Sequence, residues 1–522
     1  MAVHLFAAID VGSYEIEMKI YELSRKNGIR LIDDIMHRID LGTDTYYHGR
    51  LSAAHVSQLK ATLREYAAIM KNYGVEAYRA CGTSAFREMY NSSLVRAQIE
   101  QDTGIQVEVL ANAEQRFLDY KSVAFKGADF EKVLADPTAI VDLGGGSIQI
   151  SLFEKDRLVA TQNIRLGILI ILERLHRIRS TQARAEGLIE EMVNSQLAIF
   201  RKLYMKNREI RNIIVVDDYI SEVARKNGPM LHKSGVTGTG EFTGAEFIEV
   251  SAFNDFLEKI SAVNRQELSR MLSISDDYIP LLQISAVTVR CIAKMMHAQQ
   301  IWVPGVTLCD GIAYDYAQKS RYISAAHDFE GDIIACAQET GKRYKCSVDR
   351  STTMWELAER IFDATKRYHG MGDREKLLLR IAIILHDCGK YISMTNLAEC
   401  SYNILMSTEI IGVSGTEQEI IANVVRFNHD EFVYYESPDN ISELSPEAYM
   451  VITKLTAILR VANGLDRSHK KKFSGLKVRV REGELIITVD AKKDITLEKG
   501  LFGRRAEFFE EVIGLTPVIR QR

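Results

Sequence analysis

Two short stretches constrain this 522-residue chain more than any others: Ala8-Ile9-Asp10-Val11-Gly12-Ser13 and, about 130 residues downstream, Ile140-Val141-Asp142-Leu143-Gly144-Gly145-Gly146-Ser147. Each places an aspartate and a Gly-Ser turn directly after an apolar run. An Asp at the end of a buried strand can orient a hydrated metal ion, and the glycines after it let backbone N–H groups approach phosphate oxygens with no Cβ in the way. A single copy would recur by chance as an ordinary hairpin turn. Repetition, with three consecutive glycines in the second copy, favours one device used twice.

The chain is too long for one core, and its pattern divides it. Residues 5–21 and 29–40 read as strands joined at Lys26-Asn27-Gly28, and 52–73 as a helix ending on Gly74. Strand and helix alternate through 76–80, the Gly82-Thr83-Ser84 turn, 107–110 and a helix entered at Asn112, which describes an α/β domain. After Asp136-Pro137 the pattern restarts, with strands at 139–141, 149–153 and 158–163. Helical periodicity dominates from 320 to 468, and the last stretch alternates around Gly483 as a small antiparallel β unit. The expected domains are 1–125 and 126–318, both α/β, an all-helical 319–468, and a small basic α+β domain at 469–522.

With 46% apolar and 26% charged residues and no long uncharged run, the composition excludes disordered and membrane-spanning classes. The short apolar start lacks a basic leader and reads as a first strand rather than a signal peptide. Seven scattered cysteines fit reduced thiols in a cytoplasm. The net charge of −4 hides a basic tail: from His469 onward thirteen Lys/Arg face eight Asp/Glu, including Lys470-Lys471-Lys472 and Arg504-Arg505. Such a tail suits either a polyanion or plain solvation. Neither a membrane nor a specific nucleic-acid sequence is an expected partner.

Two adjacent α/β halves that each carry an Asp-Gly loop resemble the actin, Hsp70 and sugar-kinase superfamily, so the fold expectation is two actin-like (ribonuclease H-like) domains. Members that hold adenosine use a third, Gly-rich loop in the second half. The corresponding segment here, Asn212 to Tyr219, has no glycine, which argues against a nucleotide pocket. CGTSAFREMYN (81–91), LANAEQRFLDYKSV (110–123), NIRLG (163–167) and TLCDGIAYDY (307–316) then come in an order and spacing that resemble the exopolyphosphatase/guanosine pentaphosphate phosphohydrolase (Ppx/GppA) family over nearly the whole chain. The resemblance implies that Arg87 grips phosphate and that Gly12, Ser13, Gly144, Gly145, Gly146 and Ser147 cradle it. Asp10 and Asp142 would hold magnesium (Mg²⁺), and a Glu would direct water at the terminal phosphoanhydride of inorganic polyphosphate or guanosine pentaphosphate. A cytoplasmic homodimer is expected.

Three positions depart from the family pattern. Glu15 stands where its GSNS motif has a small polar residue, Gln149 replaces the acid of its GGGSTE motif, and its EEAR helix reads Ala113-Glu114-Gln115-Arg116. An ungapped alignment puts Gln115 on the catalytic Glu; a one-residue shift puts Glu114 there and restores Arg116. The hydrolase reading takes Glu114 as the base. Because an amide cannot accept a proton from water, the rival reading is a silent protein that binds and senses the same ligands.

His369, His386-Asp387 and Asp466 resemble the ordered ligand set of the HD phosphohydrolases, with His429 as an additional candidate. Two imidazoles and two carboxylates suit a transition metal such as Mn²⁺, Fe²⁺ or Zn²⁺. That gives a third reading, metal-dependent hydrolysis in the helical segment, against a purely structural role; Cys400 and Phe427-Asn428 stand where the family carries His and Tyr-His.

Overall fold

The computed structural model describes residues 3–179, 181–206, 208–217, 219–224, 247–325, 327–440, 442–473, 475–489 and 494–521. By contact it forms two compact units, Met1–Phe329 and Glu330–Arg522.

The first unit holds two sheets of like design. β1 (His4–Val11), β2 (Glu15–Ser24) and β3 (Gly28–Arg38) form an antiparallel meander, and β4 (Ala77–Gly82) and β5 (Val107–Val109) continue it in parallel on the other side of β1. β6 (Thr138–Leu143), β7 (Ile148–Glu154) and β8 (Arg157–Ile164) repeat the meander, with β9 (Asn212–Val216) parallel to β6. Beyond β9 come β10 (Phe247–Glu249) and β11 (Gln300–Trp302), the latter innermost. Register makes the duplication concrete. Asp10 stands opposite Glu17, and Asp142 stands opposite Gln149.

The stretch 5–21, expected as one strand, is broken between Val11 and Glu15. There the Gly12 N–H turns back to the Glu15 carbonyl at 2.9 Å, and the Gly144 N–H reaches the Ser147 carbonyl at 3.0 Å in the same way. Both phosphate-loop candidates are thus hairpin turns as well.

Period-two alternation buries β1 on both faces. Ala7, Ile9 and Val11 meet Leu59, Leu63 and Tyr66 of the helix Ala53–Tyr73, which begins on a Ser52 cap and stops at Gly74 in the left-handed region. Phe6 and Ala8 face the other way, toward Leu118 of the helix Asn112–Ala124 and the Leu308, Cys309 and Ile312 stripe of the helix Leu308–Lys319. Chain order had assigned that last helix to the second α/β domain. Its apolar stripe instead covers the face that Phe6, Ala8, Tyr21 and Leu23 leave open. Among the described residues one helix, Tyr278–Met296, is long and apolar enough to cross a membrane, and it is packed into the core beneath the second sheet.

In the second unit the helices Val348–Ala364, Asp373–Leu385, Gly415–His429 and Pro446–Leu465 pack together. A sheet of β12 (Lys477–Arg481), β13 (Glu484–Val489) and β14 (Thr516–Gln521) follows. The expected β12/β13 hairpin is antiparallel, but β14 joins in parallel, because the helix Gly503–Ile513 carries the chain back across the sheet. Lys477, Arg479 and Arg481 share the exposed face of β12. Arg505 is set apart from such a basic track: its Nη1 donates to the Arg460 carbonyl at 3.2 Å, and its stem packs on Gly464. Residues 490–493 of the basic tail lie outside the described residues.

Candidate active site

The two hairpin turns face one cavity of about 100 Å³, room for several waters at roughly 10–15 Å³ each. Gly12, Ser13, Gly144 and Gly145 form part of its wall. Gly146 turns away from it, toward the first half: a Cβ there would stand 2.6 Å from the Tyr46 hydroxyl and 2.9 Å from Ser84 Cβ. Behind this contact Ser13 Oγ lies 2.9 Å from Tyr46 Oη and 3.0 Å from Ser84 Oγ. Ser147, expected in the cradle, is likewise absent from the wall and spends its carbonyl on the Gly144 turn.

Six carboxylates line the cavity: Asp10, Glu15, Glu17, Asp119, Asp142 and Asp217, with no Lys or Arg among the lining residues. Withdrawal from water pushes the Asp10 carboxyl well up, and Glu17, Asp142 and Glu15 add repulsion. Asp119 is raised by burial and by Asp142 and Asp10. Burial takes Asp142 to about 7, with the Asp119 hydrogen bond, Arg87 and Arg116 pulling the other way. Burial also carries Asp217 to about 7, although it accepts from Ile220 N at 2.6 Å and Ser285 Oγ at 2.9 Å. Such a cluster demands protons or a cation.

Asp10 Oδ1 and Asp119 Oδ2 are buried without a hydrogen-bond partner. These are hard oxygen donors of the kind Mg²⁺ takes, and they fit the ion expected at Asp10 and Asp142. Among the described residues no three His, Cys, Asp or Glu side chains form a complete cage. That suits Mg²⁺, which keeps waters and substrate oxygens in its shell beside one or two carboxylates. A pH dependence follows. A carboxyl raised in the native state binds more protons folded than unfolded, so its contribution weakens the fold as pH climbs from the unfolded value of about 4 to about 7 for Asp142. The metal-free protein is expected to lose thermal stability across that range relative to Asp142→Asn. Melting curves from pH 5 to 8 check this; parallel profiles would remove Asp142 from the acidic cluster.

The register of the Asn112 helix is settled by its cap. Glu114 Oε2 accepts from the Ala111 N–H at 3.1 Å, a capping-box contact, while Gln115 lines the cavity. The expectation that Glu114 is the base is therefore corrected: the helix uses it at its own N-terminus and presents an amide to the cleft. Gln149 Nε2 donates to Asp142 Oδ2 at 2.9 Å, orienting that carboxylate. Arg87 stands behind the wall rather than in it, with Nη1 donating to the Leu110 carbonyl at 2.8 Å and to Gln115 Oε1 at 3.0 Å. Asp119, four residues after Gln115 on the same helix, was legible as a charge inside the apolar run FLDYKSVA. Glu17 was legible too, being as far beyond Asp10 as Gln149 is beyond Asp142. Asp217 directly follows β9, whereas Asp10 and Asp142 are the penultimate residues of β1 and β6; its neighbour Asp218 lies outside the described residues.

In the helical unit the four expected ligands do not act as one set. Both nitrogens of His369 are used, Nε2 with the Phe362 carbonyl at 2.8 Å and Nδ1 accepting the Met371 N–H at 2.9 Å, which corrects its place as a ligand. His386 Nε2, Asp387 Oδ1 and Asp466 Oδ1 are buried without partners. Asp387 and Asp466 both act on the buried Arg350 guanidinium, opposing the fall that its burial causes, while its Nη2 donates to Asn463 Oδ1 at 3.0 Å. His429 donates its Nε2–H to the His386 carbonyl, 2.7 Å away, and so braces the pair.

Residues 20–320 match the Ppx/GppA phosphatase family and residues 334–503 match Ppx/GppA phosphatase, domain III. The chain is 18% identical to a guanosine-5'-triphosphate,3'-diphosphate pyrophosphatase of Photobacterium profundum over 93% of this chain and 92% of that protein. It is 29% identical to exopolyphosphatase 2 of Mycobacterium tuberculosis over 33% of this chain and 56% of that one. The crystal structure of an exopolyphosphatase from Cytophaga hutchinsonii superposes with a TM-score of 0.53 at 17% identity, over 60% of this chain and 98% of that chain, and shows the shared fold.

Proposed function

The chain belongs to the Ppx/GppA phosphatase family, and from that premise we propose that its carboxylate-lined cleft hydrolyses the terminal phosphoanhydride bond of inorganic polyphosphate or guanosine pentaphosphate. One observation carries the reading: two equivalent hairpin turns, each preceded by an Asp, point into a cavity walled by six carboxylates. A polyanion enters such a space only with a divalent cation. Mg²⁺ held by Asp10 and Asp142, with Asp119 beside them, would offset the charge of phosphate oxygens and polarise the phosphorus. Gln149 holds Asp142 in place, and Arg87 fixes the Gln115 amide. Water is aligned by that amide and is deprotonated by one of the wall carboxylates, since Gln115 cannot take the proton.

The amide at 115 favours a slow enzyme, and the sensor is its limiting case. Phosphate release from polyphosphate and from guanosine pentaphosphate with Mg²⁺ tests the reading. Gln115→Glu is expected to raise the rate by about 10²-fold or more, the usual worth of a placed base, whereas Glu114→Gln, which keeps the cap, leaves it within about twofold. No release by either protein would leave the sensor. Loss of the rate in Glu114→Gln, with no gain in Gln115→Glu, would reinstate Glu114 as the base.

The helical unit is read as structural. This reading rests on His369, both of whose nitrogens are spent on backbone groups, and on the charge of Arg350 acting on Asp387 and Asp466; one transition metal per chain in the protein purified without chelator, lost in Asp387→Ala, would overturn it. The cytoplasmic location and the homodimer remain part of the proposal.

A further inference from the structure

Glu15 is the wall carboxylate that the duplicated design does not call for. It follows the first turn, yet it is held by groups from elsewhere: the Tyr278 hydroxyl donates to Oε1, and Arg38 Nε lies 3.5 Å from the same oxygen. The Arg38 guanidinium sits 4.0 Å over the Tyr278 ring, and Tyr219, itself in the cavity wall, meets that ring edge-on at 4.9 Å. Arg38 belongs to β3 of the first sheet, whereas Tyr278 opens the long helix of the second half. The three groups therefore meet only when the halves are together. A phenol O–H and a guanidinium converging on one anionic oxygen form a donor set that a phosphate oxygen satisfies as well as a carboxylate does.

We propose that Tyr278 and Arg38 form an anion subsite for the phosphate group next to the terminal one of a phosphoanhydride, and that Glu15 occupies it as a resident stand-in until substrate displaces it. The assignment rests on the cleft reading above and deepens it. It accounts for a carboxylate placed where a polyanion must pass: the side chain completes the subsite when it is empty and swings aside when it is filled. It makes the protein selective for ligands with at least two linked phosphates, because orthophosphate gains nothing from moving Glu15.

The test is calorimetric titration of the full chain with Mg²⁺ and imidodiphosphate, a non-hydrolysable two-phosphate probe, beside orthophosphate. Glu15→Gln, which keeps the side-chain volume and removes the charge, is expected to tighten imidodiphosphate about tenfold or more, as relief of a close like-charge pair in a cleft allows, and to change orthophosphate much less. Adding Tyr278→Phe or Arg38→Ala should cancel that gain, with melting curves confirming that each variant is folded. Equal gains for both probes, or a gain that survives both additions, would overturn the subsite. If orthophosphate binds and Glu15→Gln leaves imidodiphosphate unchanged, the subsite alone falls. If neither probe binds any variant, the cleft reading falls with it.

Discussion

Gly311→Ala is expected to destabilise the first unit by about 3 kcal/mol or more, at the upper end of what overpacking costs. The helices Leu308–Lys319 and Asn112–Ala124 cross so closely that a Cβ at 311 would lie 2.0 Å from the Leu118 carbonyl oxygen and 2.7 Å from its carbon. Those are backbone atoms and cannot rotate away. The crossing is pinned by the buried Lys121–Asp315 ion pair at 2.7 Å, so the helices separate only by straining that pair as well. Because the pushed helix presents Gln115 and Asp119 to the cavity, ligand binding should weaken together with stability. Chemical denaturation checks the first effect and titration the second. Gly187→Ala is the control: it lies within the helix Gln182–Tyr204 with nothing within 4 Å of its would-be Cβ, and it should be neutral or stabilising by up to about 1 kcal/mol. Equal losses in both proteins would mean that the crossing is not the cause.

Arg87→Ala is expected to weaken polyanion binding by about 1.5–3 kcal/mol, the scale of a lost charged hydrogen bond, or roughly 10- to 150-fold in Kd. Two effects add. The guanidinium opposes the rise of the Asp10, Asp119 and Asp142 carboxyls that burial causes, and it anchors Gln115. Arg87→Lys should recover only part of the loss, since the shorter side chain keeps the charge but does not place its ammonium where Nη1 donates to both the Leu110 carbonyl and Gln115 Oε1. Unchanged affinity in Arg87→Ala would remove this residue from the site.

The sequence carried the site's skeleton because its parts are local. An Asp and a glycine two residues apart at the end of an apolar run, seen twice, suffice to place Asp10, Gly12, Asp142 and Gly144 on equivalent hairpins. It carried the register of the Asn112 helix poorly, because Glu114 and Gln115 are neighbours and only the cap contact to Ala111 decides which one turns inward. The long-range partners were invisible for the same reason: nothing local tells that Tyr278 reaches Glu15 across 263 positions, or that the 308–319 helix returns to the first sheet. His369 misled because an ordered set of ligand types looks the same whether or not its nitrogens are already spent on the Phe362 carbonyl and the Met371 N–H.

The contact between the two turns has an evolutionary corollary. A Cβ at Gly145 would come 3.0 Å from Ser13 Cβ, and one at Gly146 would press on Tyr46 and Ser84. The second turn is glycine-rich partly to seat on the first half's hydroxyls, so its composition is not free to drift by itself. Positions 13, 46, 84, 145 and 146 should covary across descendants as a single inherited character. A lineage that enlarged residue 145 or 146 would have to shrink a partner in the first half, and a chimaera joining halves from two distant lineages would fail at this seam before it failed at the carboxylates.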